Sequence, residues 1–138
     1  MPLHIACGYQ NENLTLDIVQ LLIEAFPDSL RHVDKHRYTP LHDLCENKKL
    51  DEDIALEVLK LLIEKYPESV RQTSTKGSLP IHLAAETRSP EFCRILIEAY
   101  PGSERMTNWG GSLPFDRACR YNTVATVKYF YQLYPESI

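Results

Sequence analysis

The sequence predicts an all-α fold, a solenoid of four stacked helix-turn-helix repeats with turns that project from the stack. The first observation behind this prediction is a six-residue block that begins with proline and occurs four times in the 138 residues. The blocks begin at Pro2, Pro40, Pro80 and Pro114, so the steps between them are 38, 40 and 34 residues. Repeats of this length are typical of stacked supersecondary units that bury their apolar faces against one another.

A second block, which is apolar and ends in an aromatic residue followed by proline, repeats in step with the first. Its four copies cover residues 18–31, 58–71, 92–105 and 126–138. From its proline to the next first-block proline the distance is always 13 residues, whereas the two prolines of one repeat are 21 to 27 residues apart. The insertions therefore lie between the two helices of a repeat, at residues 10–14 and 48–53, and the second insertion is predicted to be a solvated loop.

Residues with known capping preferences mark the ends of the predicted helices. Thr39-Pro40 and Ser89-Pro90 predict helix starts, because a hydroxyl accepts a free backbone N–H and proline is tolerated in the first turn. Each second helix is predicted to end at the aromatic residue before its proline, since a residue preceding proline disfavours the helical conformation. These aromatic residues are Phe26, Tyr66, Tyr100 and Tyr134.

Two further patterns predict the packing and the connections. Apolar residues at i, i+3 and i+4 in the second helices predict a core-facing stripe. The stripe is formed by Ile18, Leu21 and Leu22 in repeat one and by Val58, Leu61 and Leu62 in repeat two. Turn-forming residues at 34–37, 74–77 and 108–111 predict a hairpin-like turn between successive repeats.

The composition is that of an ordinary packed domain, with 43% hydrophobic residues, 25% charged residues and a formal net charge of −4. We therefore expect residues 1–138 to form a single domain with repeats at approximately 1–38, 39–78, 79–112 and 113–138. No apolar run approaches the roughly 18 residues that span a bilayer, and the first block follows Met1 directly in place of a secretory leader. A cytoplasmic or nuclear location without a membrane partner is expected.

The two repeated blocks carry a family resemblance. With Thr39-Pro40-Leu41-His42 in one repeat and Ile18-Val19-Gln20-Leu21-Leu22 in another, the chain resembles the ankyrin repeats over essentially its whole length. It departs from the family where an aromatic-proline pair replaces the usual glycine after the second helix. Arg37 also occupies a turn position where Gly77 and Gly111 keep glycine, which predicts either a strained turn or a turn of another form.

Histidine and cysteine recur at fixed places in the first block. The third place is held by His4, His42 and His82, and the sixth place by Cys7, Cys45, Ala85 and Cys119. Residues at i and i+3 share a helix face, so these pairs have the spacing of a metal site. Because alanine stands at the sixth place of one repeat, a small buried packing residue is the favoured interpretation there. The resemblance implies that the histidines bond to the backbone of the neighbouring unit, and we expect no metal and no cofactor.

The cysteines are predicted to be free thiols. Equivalent residues of adjacent repeats are separated by about one helix-packing distance, roughly 8 to 10 Å, whereas a disulfide needs Cα atoms within about 7 Å. Cys93, in a second helix, is predicted to be buried as well. Free buried thiols are typical of a reducing compartment.

Charged residues also recur, in a pattern that does not indicate catalysis. The acids are Glu24, Glu64 and Glu98, and the bases seven residues later are Arg31, Arg71 and Arg105. We expect surface groups that complement helix ends or pair along the stack, each contributing at most about 1 kcal/mol. The sequence has no glycine-rich phosphate loop, no Gly-x-Ser-x-Gly elbow and no closed zinc spacing, so an enzyme is not expected.

The resemblance implies a concave binding face made of the turn tips and the exposed side of the short helices. Trp109 is the only tryptophan and falls at a turn tip, and tryptophan, tyrosine and arginine are the residues that anchor interfaces. The alternative is that Trp109 folds back onto a neighbouring hairpin. The candidate partner-binding residues are Arg37, Tyr38, Lys76, Trp109, Arg117, Arg120 and Tyr121. The same face is expected to carry Asn47 and the acids Asp43, Glu46 and Glu86, and these acids make its charge mixed.

These observations favour an interaction scaffold or adaptor for a protein partner, one that carries acidic groups if the arginines bind it. Nucleic-acid binding is disfavoured, because the chain is acidic and its bases are scattered among acids. The alternative is a targeting or regulatory module of a larger multidomain enzyme or receptor, since no turn precedes repeat one and repeat four stops at Ile138. Tyr129, Phe130 and Tyr131 either close the stack or await a further repeat or a second copy, which leaves a monomer or a weak dimer through the terminal repeats.

Overall fold

A computed structural model describes residues 2–8 and 11–133. In those ranges the chain forms eight α-helices and no strand, which confirms the predicted all-α solenoid. The helices are α1 (Pro2–Cys7), α2 (Leu16–Ala25), α3 (Pro40–Glu46), α4 (Glu52–Lys65), α5 (Pro80–Thr87), α6 (Pro90–Ala99), α7 (Pro114–Tyr121) and α8 (Val124–Leu133). Short 3-10 turns cover Pro27–Leu30, Pro67–Arg71 and Ser103–Arg105. None of the described helices combines the length and the apolar character needed to cross a membrane.

The helices form two layers with the core between them. The short helices α1, α3, α5 and α7 pack side by side in chain order, and the longer helices α2, α4, α6 and α8 do the same. Buried apolar side chains from both layers form one continuous cluster. Each helix pair therefore buries its apolar residues only together with its neighbours, as a solenoid requires.

The predicted helix ends are confirmed in the described residues. The Thr39 side chain accepts a hydrogen bond from the backbone N–H of His42 at 3.3 Å, and Ser89 Oγ accepts one from the N–H of Phe92 at 3.2 Å. The second helices end immediately before the predicted aromatic residues Phe26, Tyr66 and Tyr100. Tyr134, the fourth such residue, lies outside the described residues.

The predicted core-facing stripe is correct in repeat two, whereas in repeat one only Leu22 of its three residues packs against the core. Val58, Leu61 and Leu62 are buried on α4. On α2, however, the side chains of Ile18 and Leu21 are 42% and 64% exposed.

The position of α2 in the stack explains the difference. Leu61 of α4 lines a surface cleft together with Gln20 and Ile23 of α2, so this side of α4 faces the preceding helix. Leu21 occupies in α2 the position that Leu61 occupies in α4, so it faces away from α4. No described helix covers that side of α2. The helix is anchored in the core through Val19 and Ile23 instead.

Cys119 is the exception among the predicted buried thiols. All four cysteines are free, and Cys7, Cys45 and Cys93 are buried, but Cys119 is exposed. Cys7 is buried although its helix, α1, has a short-helix neighbour only on the side of α3, so the sixth place of the block faces the following short helix. Among the described residues α7 has no following short helix, and its sixth place is left open.

The recurring histidines join each short helix to the hairpin that follows it. The N–H of Thr39 donates to Nδ1 of His42 at 3.1 Å, so the proton of the neutral ring lies on Nε2, which donates to Ser78 O at 3.2 Å. His82 Nε2 bonds to Met106 O at 2.8 Å and His4 Nε2 to Tyr38 O at 2.9 Å.

The acceptors of these histidine bonds correct one expectation. With the predicted repeat boundaries, each carbonyl belongs to the histidine's own repeat, whereas the resemblance implied the neighbouring unit. The bond therefore ties a hairpin to the short helix of its own repeat. Burial lowers the pKa of His42 to about 4, so the ring stays neutral at physiological pH.

A second set of polar side chains does cross the boundaries between repeats. Asn47, at the end of α3, is buried and donates from Nδ2 to Cys7 O at 3.1 Å and to Asn11 O at 2.8 Å. Its predicted place on the exposed binding face is therefore wrong. Asn122, at the end of α7, donates in the same way to Ala85 O at 2.7 Å and to Arg88 O at 2.9 Å.

In repeat three the equivalent donor is Arg88, which is 3% exposed. Its Nη2 donates to Leu44 O at 3.0 Å and also to Asn47 O, and its Nη1 forms an ion pair with Glu52 Oε1 at 3.1 Å. Glu52 is the first residue of α4, where Asp51 caps the helix, so the predicted solvated loop is shorter than expected. The second insertion thus contributes the Glu52 carboxylate, which pairs with the buried Arg88 guanidinium.

The recurring arginines of the second block lie on the surface, and two of the three stack on an aromatic ring of the next repeat. The guanidinium of Arg31 lies 5.1 Å from the ring centroid of Tyr66, and that of Arg71 lies 4.3 Å from the ring centroid of Tyr100. The predicted pairing along the stack is thus a cation–π contact. It gives a physical reason for the aromatic residue that replaces the family's glycine at the ends of α4 and α6.

The turn at Arg37 has the same form as its two glycine counterparts. The φ angles are 62° at Arg37, 74° at Gly77 and 80° at Gly111, and Arg37 is the one described non-glycine residue with a positive φ. Its N–H donates to Asp34 O at 2.9 Å, just as Gly77 N–H donates to Ser74 O. Of the two predicted possibilities, the strained turn is the correct one.

We expect Arg37→Gly to raise the free energy of unfolding by about 0.5 to 1 kcal/mol, because glycine adopts a left-handed φ without the steric cost that a side chain adds. Urea denaturation of the two proteins measures the difference. Arg37→Ala keeps the strain and removes the same charge, so its stability should stay within a few tenths of a kcal/mol of the wild type. A loss of stability in Arg37→Gly would show that the arginine side chain outweighs the strain.

Candidate protein-binding surface

The hairpin turns and the short helices enclose a groove on the concave side of the stack. The groove has a volume of about 610 Å³ and is lined by residues of three successive hairpins and of α3, α5 and α7. Three of the candidate residues line it, namely Tyr38, Lys76 and Arg117. We call this feature the concave groove.

The first residue of each hairpin turn fixes the backbone of that turn. The accepting atoms are Asp34 Oδ1, Ser74 Oγ and Asn108 Oδ1. In the first hairpin the N–H groups of His36 and Tyr38 donate to the carboxylate at 2.8 and 2.9 Å. Asp, Ser and Asn are the residues whose side chains close turns in this way, so this local structure follows from sequence.

Single backbone hydrogen bonds join one hairpin to the next. The N–H of Thr75 donates to His36 O at 3.0 Å, and the N–H of Trp109 donates to Lys76 O at 3.1 Å. The three turns are therefore held in a row, with their main chains joined to one another.

Tyr38 forms one wall of the concave groove and is already engaged within the protein. Its ring stacks on that of His42 with a centroid distance of 5.1 Å, and its hydroxyl donates to Glu46 Oε1 at 3.1 Å. Burial and the neighbouring Glu46 carboxylate raise the pKa of Tyr38, so the hydroxyl remains a donor. Tyr38 thus presents an oriented phenol edge to the groove.

Arg117 lies on the opposite side and is compensated by an acid. Its guanidinium forms an ion pair with Glu86 between α7 and α5, and lies 5.7 Å from the ring centroid of Tyr121. The positive charge that was expected to attract acidic partners is therefore offset locally. Lys76, by contrast, makes no ion pair with a described residue.

Asp43 adds a half-buried carboxyl next to the groove. It makes no hydrogen bond or ion pair with another described side chain, and burial together with Asp34 and Glu46 raises its pKa to about 7. Asp43 is therefore incompletely ionised at neutral pH. The charge of the face is mixed, as expected.

Trp109 lies at the hairpin tip and does not line the concave groove. Its side chain is 78% exposed, yet one side of the indole rests against Gly77 of the neighbouring hairpin. The ring therefore contacts the adjacent turn, as the second alternative predicted, and still offers a large surface to solvent.

The remaining candidates lie around the concave groove. Arg37 is exposed at the first hairpin tip, while Arg120 and Tyr121 are exposed toward the end of α7, and none of the three lines the groove. Sequence reasoning missed the groove wall formed by Leu83, because an apolar residue in a short helix carries no signal that separates it from the core. That the candidate residues bind a partner remains a prediction.

The described ranges contain no group of three or more His, Cys, Asp or Glu side chains arranged to hold a metal ion. The histidines with metal-like spacing are engaged with backbone groups instead.

Comparison with protein families shows to which family the chain belongs. A family model described as "Ankyrin repeats (many copies)" matches residues 61–118, and one described as "Ankyrin repeat" matches residues 1–34. Together the two matches cover more than half of the chain, which belongs to the ankyrin repeat family. Ankyrin repeat domains are generally protein–protein interaction modules and generally non-catalytic. No curated protein matches the sequence significantly.

Proposed function

We propose that this protein is a non-enzymatic scaffold or adaptor that binds a protein partner in the concave groove. The observation that carries the proposal is the arrangement of Tyr38, Lys76 and Arg117, which come from three different repeats and line one cavity of about 610 Å³. The hairpins next to Tyr38 and Lys76 are bonded to each other and Arg117 lies on helix α7, so the surface is formed before a partner arrives. The general role of ankyrin repeats supports the same conclusion.

The chemistry of the groove favours a protein over a nucleic acid. Glu46 and Glu86 lie in the same cavity as Lys76 and Arg117, so no continuous basic stripe tracks a phosphate backbone. The formal net charge of −4 points the same way.

We also propose a cytoplasmic or nuclear location, with residues 1–138 acting as one domain. Cys7, Cys45 and Cys93 are buried free thiols, and burial raises the pKa of each of them. Such thiols are unreactive and are usual in a reducing compartment.

A second candidate function is that of a targeting module within a larger enzyme or receptor. It is favoured by apolar side chains exposed on the two outermost helix pairs, among them Ile5 and Leu21 at one side and Val124 and Tyr131 at the other. A further repeat or a weak dimer would cover such faces. Light scattering that gives a monomer mass at every concentration would exclude the dimer.

Charge reversal in the groove tests the proposed function. We expect Lys76→Glu to weaken the binding of a partner captured from native cell extract by at least about tenfold, because it turns an unpaired groove cation into an anion. Binding is measured by titration calorimetry with the purified partner. Lys60→Glu on the exposed side of α4 is the matched control and should leave the affinity unchanged. Equal affinities of the two variants would place the binding surface elsewhere.

A further inference from the structure

We propose that Trp109 and Gly77 together form a preformed anchoring site that takes an apolar side chain flanked by acidic residues in the bound partner. This inference rests on the proposed function and adds to it the chemistry of the bound segment. The site consists of the exposed side of the Trp109 indole and the unpaired cations of the neighbouring hairpin tips.

The contact between the two residues requires that position 77 has no side chain. A Cβ atom on Gly77 would lie 2.5 Å from Nε1 and 2.6 Å from Cγ of Trp109, and would overlap Cδ1 as well. Real Cβ atoms do not approach other atoms so closely, so any other residue at position 77 would displace the indole.

The backbone conformation does not by itself explain the glycine. Arg37 occupies the equivalent turn position with a φ of 62°, close to the 74° of Gly77, and there the turn tolerates a long side chain. The residue that contacts the Arg37 turn from the next hairpin is Thr75, whereas the one that contacts the Gly77 turn is Trp109. At equivalent positions Arg37 is thus paired with Thr75 and Gly77 with Trp109, so glycine stands where the next hairpin carries the tryptophan.

The indole is therefore held in place although most of it faces solvent. One side rests on Gly77, the main-chain N–H of Trp109 is bonded to Lys76 O at 3.1 Å, and the side chain is 78% exposed. An aromatic ring that is fixed before binding loses little conformational entropy when a partner covers it. Aromatic residues of this kind are the usual anchors of interfaces.

The charges around the indole indicate what flanks the apolar group. Lys35, Arg37 and Lys76 lie at the tips of the two preceding hairpins, and none of them makes an ion pair with a described residue. A cationic partner residue would be repelled by this row, whereas aspartate or glutamate would be attracted. The bound segment is therefore apolar at its centre and acidic at its flanks.

Fluorescence tests the first half of the inference without any partner. Because Trp109 is the only tryptophan, its emission reports on this site alone. We expect Gly77→Ala to lower the fluorescence anisotropy and to increase quenching by acrylamide, since the displaced indole moves freely. Gly111→Ala is the matched control: its φ is 80°, and nothing lies within 4 Å of the added Cβ, so the indole should behave as in the wild type.

Loss of folding in Gly77→Ala would be informative as well. The double variant Gly77→Ala, Trp109→Thr places the residue found at the equivalent position, Thr75, in front of the new methyl group. Recovery of the helical circular dichroism spectrum in the double variant would attribute the defect to the indole. Failure of the double variant to fold, while Gly111→Ala folds, would contradict the steric argument.

Selection from a phage-displayed random dodecapeptide library tests the second half. We expect the wild type to enrich peptides with an apolar residue flanked by Asp or Glu, and their binding to fall by about tenfold or more in Trp109→Ala and in Gly77→Ala. Gly111→Ala should retain them. Enrichment of basic peptides, or binding that is indifferent to Trp109→Ala, would overturn the inference.

The proposed function and this inference fail in different ways. Selected peptides that lose affinity in Lys76→Glu but not in Trp109→Ala would leave the concave groove as the binding site and remove the anchoring site. Peptides that bind all variants equally, together with a partner that is indifferent to Lys76→Glu, would contradict both.

Discussion

Replacing Arg88 with alanine is expected to lower the free energy of unfolding by about 3 to 5 kcal/mol, the largest effect of a single substitution that we predict. The guanidinium is almost fully buried and donates to the carbonyl oxygens of Leu44 and Asn47 as well as to the carboxylate of Glu52. Alanine leaves Asn47 O without its donor and the Glu52 carboxylate without its cation, and it leaves a cavity beside Phe92, over which the guanidinium lies. Urea denaturation measures the difference.

The chain itself offers a matched control for this substitution. At the equivalent places Asn47 and Asn122 use a side-chain amide to donate to two carbonyl oxygens of the preceding repeat. We therefore expect Arg88→Asn to recover about half of the stability that Arg88→Ala loses, because the amide replaces the carbonyl bonds but not the ion pair with Glu52. If the two variants were equally unstable, the carbonyl bonds would not be the source of the effect.

Acid is expected to destabilise the protein through its buried histidines. The pKa of His42 is about 4 in the folded protein and about 6.5 in the unfolded chain, so between these values the unfolded chain binds a proton that the folded protein excludes. The contribution of His42 to the free energy of unfolding is present in full above about pH 6.5 and is lost as the pH falls. The loss reaches about 3 kcal/mol at pH 4. Burial also lowers the pKa of His82 and of His4, which act in the same direction.

Asp43 opposes this trend and must be separated from it. Its pKa is raised to about 7, so between about pH 4 and 7 the folded protein holds a proton that the unfolded chain releases. The stability that the ionised Asp43 carboxylate costs at higher pH is therefore regained as the pH falls through this window. Urea denaturation between pH 4 and 8 should give His42→Asn a shallower loss of stability in acid than the wild type. Asp43→Asn should gain stability relative to the wild type at pH 8 but not at pH 4. Parallel curves for all three proteins would contradict both assignments.

The repeat pattern predicted those features of the fold that recur with the same chemistry. Thr39 and Ser89 cap helices as expected, because capping is a local property of the residue and its successor. Leu21 and Cys119 were predicted wrongly because a pattern shared by all repeats describes an interior repeat, whereas these residues lie on outer faces of the described stack. The burial of a repeated position depends on its neighbours as well as on its own spacing.

Features that depend on two repeats at once were not predictable from one sequence. Arg88 stands where repeats two and four carry asparagine, and its pairing with Glu52 depends on how far the second insertion reaches. The turn residues of the candidate surface were correctly located from sequence, since Asp34, Ser74 and Asn108 form their turns locally. The contact of Trp109 with Gly77 and the ion pair of Arg117 with Glu86 depend on the spacing between adjacent repeats, which the sequence does not state.

The amide and guanidinium donors at the ends of the short helices have a consequence for how the molecule meets a partner. Asn47, Arg88 and Asn122 each reach back to two carbonyl oxygens of the repeat before, so every repeat boundary in the described stack is fastened by buried polar bonds in addition to apolar packing. Strong coupling between neighbouring repeats makes a repeat array unfold cooperatively. It also restricts rigid-body motion of one repeat relative to the next. The concave groove is thus a stiff template, and adjustment on binding falls to the partner.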